Sequence, residues 1–165
     1  MELTCDDDFK IPKDPANISA IIFHYYHPYQ FITIIESNYD NENNWGSEND
    51  YKIIISHFET MKNCFLDKNI PIIIGEIGVI TEENRDKISI REYLYTVFSL
   101  SFDNEGILPC LWDTSNKKTG NMNFYDRDKD KWYDEKLKDI FEKFAKKKKH
   151  KIIGILCYNK YRNHC

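Results

Sequence analysis

Long hydrophobic runs, excess positive charge and a regular cysteine pattern are all missing from this 165-residue chain. The run IIGILCY is far shorter than the ~20 apolar residues of a membrane-spanning helix, so we expect no membrane insertion. Five scattered cysteines lack the spacing of a zinc site, and no metal is expected. The opening MELTCDDDFK does not resemble a signal peptide, which predicts either an intracellular protein or one whose N-terminus is missing.

Acidic residues outnumber basic ones, and their distribution is uneven. The chain has a net charge of −4, yet the part before residue 143 contains 15 basic and all 27 acidic residues, a net −12. Nucleic acids and anionic membranes are bound mainly by Lys and Arg, so we expect neither as the partner of the main body. The eight basic residues after Glu142 are interpreted as a solvated lysine-rich tail, with polyanion binding as a weaker alternative.

Three apolar runs of strand length alternate with three amphipathic stretches. The runs ISAIIFHYY, NIPIIIGE and GILPCLWD predict strands, although Pro109 interrupts the last. A first helix is predicted over residues 50–68. A second is predicted to begin at a capping box formed by Ser89 and Glu92, and a third to cover about residues 132–145, starting at Trp132. This order predicts an α/β fold with a parallel sheet.

Polar or aromatic residues follow all three predicted strands. His24 and Tyr26 end the first, Glu76 ends the second, and Trp112 ends the third. Parallel strands bring their carboxyl ends to one edge of a sheet, where active sites of such folds collect. We therefore expect these side chains to share one site. A lone carboxylate after a strand more often caps the next loop, so this expectation depends on all three ends together.

Three segments carry a resemblance to a known family. HYYHPYQFIT (24–33), IPIIIGEIGV (70–79) and GILPCLWDTSN (106–116) resemble strands six, seven and eight of the family 5 glycoside hydrolases, the cellulase-type TIM barrels. The resemblance implies a partial (β/α)8 barrel of about three C-terminal βα units. It implies a partial catalytic domain over residues 1–145, a basic tail over 146–165 outside the resemblance, and secretion, as is usual in that family.

The same resemblance assigns roles to individual residues. Glu76 matches the catalytic nucleophile of a retaining mechanism, Tyr26 the tyrosine that orients it, and His24 the histidine beside the catalytic carboxylates. Trp112 matches the platform on which a glucose ring stacks, and Trp45 is expected to stack a neighbouring sugar. No metal or organic cofactor is implied, because carboxylates alone perform this chemistry. Tyr25 is interpreted as a packing residue, and no functional role is assigned to His27 or Asp113.

The chain also departs from the family pattern. The family's general acid/base is the glutamate of an Asn-Glu-Pro motif, which this sequence lacks. Retaining hydrolysis needs two carboxyl groups about 5 to 5.5 Å apart, so we expect this chain alone to be inactive. The favoured hypothesis is a retaining endo-β-1,4-glucanase represented by a C-terminal fragment. The alternative is a non-catalytic protein that binds β-linked polysaccharide or self-associates through open barrel edges.

Overall fold

Residues 11–33, 44–81, 85–115 and 120–147 are described by a computed structural model of the chain. Its centre is a parallel sheet of three strands: β1 (Ile21–Tyr25), β2 (Ile72–Ile77) and β3 (Ile107–Leu111), in the order β1-β2-β3. Strands that follow each other in sequence are neighbours in the sheet, as expected of consecutive βα units. The predicted α/β class and parallel sheet are confirmed.

Helices connect and follow the strands. α1 (Tyr29–Thr33) and α2 (Glu48–Cys64) follow β1, α3 (Lys87–Asp103) follows β2, and α4 (Glu135–Lys147) comes last. A single turn of 3-10 helix (Leu66–Lys68) leads into β2. Two short antiparallel strands that sequence reasoning missed, β4 (Tyr125–Asp126) and β5 (Lys131–Trp132), form a hairpin before α4. Of the predicted tail 146–165, residues 148–165 lie outside the described residues.

The predicted capping box of α3 is wrong. Asp86 is the N-cap, its carboxylate accepting from the Ser89 amide at 2.8 Å and from the Ser89 hydroxyl at 2.9 Å. A charged acceptor three residues before that amide outcompetes the serine, and the helix starts at Lys87. The reciprocal capping box belongs to α2, where Ser47 and Asp50 cap each other.

The third predicted helix starts three residues later than expected, and Trp132 lies in β5 instead. Asp134 causes the later start, because its carboxylate accepts a hydrogen bond from the Lys136 amide at 3.0 Å and its carbonyl accepts from Leu137. The same carboxylate lies 2.5 Å from Arg91 Nε of α3. Asp134 therefore fixes both the start of α4 and its position on α3.

One face of the sheet forms the core. Ile72, Ile74 and Ile77 of β2 are fully buried against α2 and α3. α4 packs on α3 through aromatic rings, with Phe141 5.0 Å from Phe98 between centroids. Within the described ranges, no helix has the length and apolar character needed to cross a membrane. The same ranges contain no group of three or more metal-binding side chains arranged around a common point.

Pro109 is accommodated inside β3 because of where that strand lies. It pairs with Ile74 of β2 on one side. Within the described part of the chain, β3 has no strand on its other side, so the missing N–H leaves no ladder partner unsatisfied there. The interruption seen in the sequence is therefore compatible with a regular strand at the sheet edge.

Replacing Asp134 with alanine is expected to lower the free energy of unfolding by about 2 to 3 kcal/mol, since a helix cap and a partly buried ion pair are lost together. Burial alone would raise the pKa of Asp134, but hydrogen bonds from Arg91 and the Lys136 amide hold that pKa below its ordinary value. The contribution is therefore present above the ordinary aspartate pKa and is lost as the pH falls below it. Urea unfolding measures the loss.

The exposed Asp139 of α4 provides the control for this prediction. Asp139→Asn should change the free energy of unfolding by less than about 0.5 kcal/mol. Equal losses for the two variants would contradict the role given to Asp134.

Candidate active site

At the end of β2 the side chains no longer alternate regularly between the two faces of the sheet. This irregularity determines the face on which Glu76 lies. Ile74 and Ile77 are three residues apart, so in a regular strand they would face opposite sides of the sheet. Both are fully buried, because the register with β3 shifts between them and the register with β1 shifts between Phe23 and His24. The shift leaves Glu76 on the other face, paired across the sheet with His24. A buried strand can thus end on an accessible acid.

Two neighbouring groups converge on one oxygen of Glu76. The Tyr26 hydroxyl donates to Oε2 at 2.7 Å, and His24 Nδ1 lies 3.0 Å from the same atom. Among the described residues, no hydrogen bond reaches Oε1. The structure therefore brings together three of the five residues predicted from sequence. It holds one carboxylate oxygen and leaves the other available.

The phenol of Tyr26 is a reliable donor. Burial raises its pKa, and the hydrogen bond to Glu76 and the negative charge there raise it further. The hydroxyl consequently keeps its proton at neutral pH. Its ring meets the His24 ring edge-on at 6.5 Å, so the two groups form one wall of the site.

Trp112 stands one residue past β3 and is 44% exposed. Its amide donates to the Ile77 carbonyl at 2.7 Å, which ties it to the strand that carries Glu76. Side chains along this strand alternate between the two faces of the sheet, with residues 107, 109 and 111 on one face and 108, 110 and 112 on the other. Residues 107 and 109 are buried on the face that the helices cover. Trp112 therefore belongs to the face that carries Glu76.

Asp113 anchors the segment that presents Trp112, a role the sequence did not reveal. Its Oδ1 accepts from the Phe124 amide at 2.8 Å and the Ser115 amide at 3.3 Å, and its Oδ2 lies 2.9 Å from Arg127 Nη2. These bonds join the end of β3 to the β4–β5 hairpin. The local Asp113–Ser115 turn is readable in the sequence, but the partners 11 and 14 residues away are not.

The structure corrects the role predicted for Trp45. Its side chain is only 5% exposed and packs edge-on against Tyr51 at 4.8 Å and Tyr93 at 5.6 Å. A sugar platform needs an open ring face, and this indole offers none. The neighbouring Gly46 has a φ of 121°, and a Cβ there would lie 2.5 Å from the Glu92 carboxylate. The Trp-Gly pair is therefore part of the packing that leads into α2.

The opposite side of β1 carries a buried pair that sequence reasoning also missed. Tyr25 faces the helices, and its hydroxyl lies 2.9 Å from Nδ1 of His57 in α2. The His57 ring in turn contacts the His27 ring at 4.6 Å. Tyr25 and Tyr26 are adjacent and point to opposite faces of the sheet. The cluster of Tyr25, His57 and His27 therefore fixes the end of β1 on the helix-covered face, while Tyr26 reaches Glu76 on the other.

His27 makes stability sensitive to pH. Burial lowers the pKa of its imidazole, the nearby His57 lowers it further, and Asp50 acts in the opposite direction. The folded state therefore disfavours protonation of His27. The free energy of unfolding should fall as the pH drops below the pKa of histidine in the unfolded chain, about 6.5. His27→Gln should flatten this dependence between pH 7 and pH 5, measured by urea unfolding. An unchanged slope would contradict the assignment.

Gly78 is required by a close approach. A Cβ at this position would lie 2.4 Å from Met122 Sδ and 3.2 Å from the Trp112 carbonyl oxygen. A side chain here would displace the end of the Met122 side chain, and the Trp112 carbonyl would have to move by a few tenths of an ångström. Gly78 thus allows the segments that follow β2 and β3 to lie close together.

Comparisons with known proteins agree on one group. The sequence model described as Cellulase (glycosyl hydrolase family 5) matches residues 3–118. Endoglucanase A of Clostridium longisporum is 31% identical over 140 residues, which are 82% of this chain and 26% of that protein. The chain thus spans about a quarter of the length of this curated relative.

Solved structures show the same likeness. A GH5-4 broad specificity endoglucanase from an uncultured bovine rumen ciliate is 44% identical, with a TM-score of 0.78 over 87% of this chain and 44% of that one. A second solved structure is a mutant lichenase of glycoside hydrolase family 5 from Caldicellulosiruptor sp. F32, in complex with cellotetraose. It is 28% identical, with a TM-score of 0.73 over 86% of this chain and 39% of that one.

Proposed function

The chain belongs to glycosyl hydrolase family 5, the cellulase family, and from this premise we propose that Glu76 is the nucleophile of retaining, endo-β-1,4-glucanase-type hydrolysis. The convergence of Tyr26 and His24 on Glu76 Oε2 is the observation that supports this proposal most. A carboxylate fixed by one oxygen directs the other, Oε1, toward the substrate.

The chemistry follows from this arrangement. Oε1 attacks the anomeric carbon, a carboxylate–carbon bond forms, and the glycosidic C–O bond breaks with its electron pair leaving on oxygen. Tyr26 and His24 keep the carboxylate in the attacking orientation. The leaving oxygen needs a proton, and the sequence contains no Asn-Glu-Pro motif to supply it. We therefore propose that this chain is part of a barrel and does not hydrolyse unactivated glucan alone.

The proposed substrate is a β-linked glucan. Trp112 offers an exposed indole on the face of the sheet that carries Glu76, and the apolar C–H face of a glucose ring fits such a surface. The related lichenase mutant is seen in complex with cellotetraose, and the ciliate relative is described as a broad specificity endoglucanase. An extracellular site of action, which we propose on the basis of the family, would give access to such polymers.

A substrate that needs no proton donor tests the nucleophile directly. In 2,4-dinitrophenyl 2-deoxy-2-fluoro-β-cellobioside the leaving group departs as dinitrophenolate without protonation, and the fluorine slows loss of the sugar from the enzyme. We expect a stable fluorocellobiosyl ester on Glu76, located by mass spectrometry of proteolytic peptides. Absence of the ester, or its formation on another residue, would refute the proposed role.

A second candidate function is carbohydrate binding without catalysis, which the exposure of Trp112 favours. Trp112→Ala should weaken binding of cellohexaose by about fivefold to 150-fold in calorimetry, if a sugar ring gains the roughly 1 to 3 kcal/mol that nucleic-acid bases gain by stacking on an aromatic side chain. Tyr95→Ala, which removes an exposed ring from α3, is the control and should leave affinity unchanged. Binding that depends on Trp112 without any labelling of Glu76 would favour this second function.

A further inference from the structure

The turn before β1 contains a short motif that neither the sheet nor the site uses. Asn17, Ile18 and Ser19 form the pattern Asn-X-Ser in which X is not proline. This is the acceptor pattern for N-linked oligosaccharide, because the modifying enzyme recognises the amide of the asparagine together with a hydroxyl two residues later. No other asparagine in the 165-residue sequence is followed at that distance by serine or threonine.

The structure presents this motif on an open turn. The Asn17 amide donates to the Asp14 carbonyl at 3.2 Å, and the Asp14 carboxylate accepts from the backbone amides of Ile18 and Ser19, each at 2.7 Å. Asn17 and Ser19 are exposed, and Ile18 between them is 84% exposed. Asn17 has a φ of 53°, which asparagine tolerates better than most residues. The fold therefore accommodates a bulky polar substituent here.

The turn and the candidate active site lie at opposite ends of the sheet. Asn17 comes shortly before Ile21, the first residue of β1, whereas His24 and Tyr26 mark the other end of that strand. The Ile21 amide donates to the carbonyl of Pro71, just ahead of β2, at 2.9 Å. Parallel strands keep their amino and carboxyl ends on separate edges of a sheet. An oligosaccharide on Asn17 would therefore stay clear of a substrate at the site.

A disulfide in α2 independently supports the compartment that this modification requires. Cys64 is disulfide-bonded to a partner outside the described residues, and its side chain is buried. Disulfides form in oxidising compartments such as the lumen of the endoplasmic reticulum, which is also where eukaryotes attach N-linked oligosaccharide. The 44% identical endoglucanase comes from a ciliate, which is a eukaryote. Motif, exposure and redox environment therefore agree.

We propose that Asn17 is a site of N-linked glycosylation, with an oligosaccharide carried on a lipid pyrophosphate as the donor. Asn17 Nδ2 forms a bond to the anomeric carbon of the oligosaccharide, and the C–O bond to the pyrophosphate breaks. The electron pair leaves with the lipid pyrophosphate, and the amide proton passes to a base of the transferase. The inference rests on the extracellular site of action within the proposed function, and not on the catalytic role of Glu76.

The test expresses the full 165-residue chain in yeast, with a cleavable secretion signal placed before Met1. We expect mass spectrometry to find an oligosaccharide on the peptide that contains Asn17, and peptide N-glycosidase to convert that asparagine to aspartate. Cells and medium are both sampled, so a chain that folds poorly is scored as well. Unmodified Asn17 in chains whose signal has been cleaved, which shows that they entered the lumen, overturns the inference.

Matched positions make the test specific to the motif. Ser19→Ala keeps the asparagine but removes the hydroxyl and should abolish the modification, whereas Ser19→Thr keeps a hydroxyl and should preserve it. Asn69 is an internal control, because it is also exposed, has a φ of 61° and is followed by isoleucine, but Pro71 stands where the hydroxyl is needed. Modification that survives Ser19→Ala, or equal modification of Asn69, overturns the inference.

Labelling with the fluorocellobioside separates this inference from the proposed function. The glycosylated chain and its Asn17→Gln variant should form the ester on Glu76 at the same rate, since the turn lies far from the site. A chain that carries oligosaccharide on Asn17 but never labels Glu76 supports the glycosylation and counts against the nucleophile. A secreted chain that labels Glu76 while Asn17 stays bare supports the nucleophile and overturns the glycosylation.

Discussion

Changing Glu76 to glutamine is expected to lower turnover of 2,4-dinitrophenyl β-cellobioside by at least about a thousandfold, the scale of loss when a covalent nucleophile is removed, in an assay where added azide accepts the sugar from the ester without the missing acid/base residue. The amide keeps the shape of the side chain, and its carbonyl oxygen still accepts the hydrogen bond from Tyr26. What is lost is the negative charge that attacks the anomeric carbon. Release of dinitrophenolate, followed by absorbance, measures the effect.

The control for this prediction is Glu59→Gln, which changes an exposed carboxylate in α2. We expect it to retain full turnover, and we expect both variants to unfold at the same urea concentration as the parent. If Glu76→Gln kept more than a tenth of the activity, the carboxylate could not be the attacking group. If it unfolded much earlier, the loss would reflect folding instead.

The sequence predicted that three side chains meet, because the information for this was local. Each apolar run is short and bounded, so the strand ends could be placed within a few residues, and parallel topology then required His24, Tyr26 and Glu76 to meet. The contact between Tyr26 and Glu76 spans 50 residues of sequence. It was nevertheless predictable, because strand order alone brings those two ends together.

The misses share a different physical origin, which is competition between partners. Ser89 is a good cap, yet Asp86 lies within reach of the same amide and binds it as a charged acceptor. Trp45 lies in a polar loop and reads as exposed, but Tyr93 from α3 covers it. The register shift between Ile74 and Ile77 leaves no trace in a continuous apolar run. None of these outcomes follows from periodicity alone.

Removing the hydroxyl of Tyr26 is expected to have the second largest effect on turnover. Tyr26→Phe keeps the ring beside His24 but deletes the hydrogen bond to Glu76 Oε2. Hydrogen bonds to charged groups contribute about 1.5 to 3 kcal/mol, so we expect kcat for the activated cellobioside to fall by about tenfold to a hundredfold. KM should change little, because the hydroxyl contacts the nucleophile and not the distant parts of the sugar.

A fall in kcat without a change in KM would show that Tyr26 orients the nucleophile, whereas a residue that only packs would not give this result. If Tyr26 acted only as a core residue, Tyr26→Phe would leave kcat nearly intact, since phenylalanine fills almost the same volume. Tyr29→Phe removes a hydroxyl from an exposed residue on α1 and should alter neither constant. His24 lies 3.0 Å from the same oxygen and is unchanged in the Tyr26 variant, so labelling of Glu76 should persist at a slower rate. Only loss of both groups would release the carboxylate from its attacking orientation, and the double variant Tyr26→Phe with His24→Ala should therefore lose more than either single change.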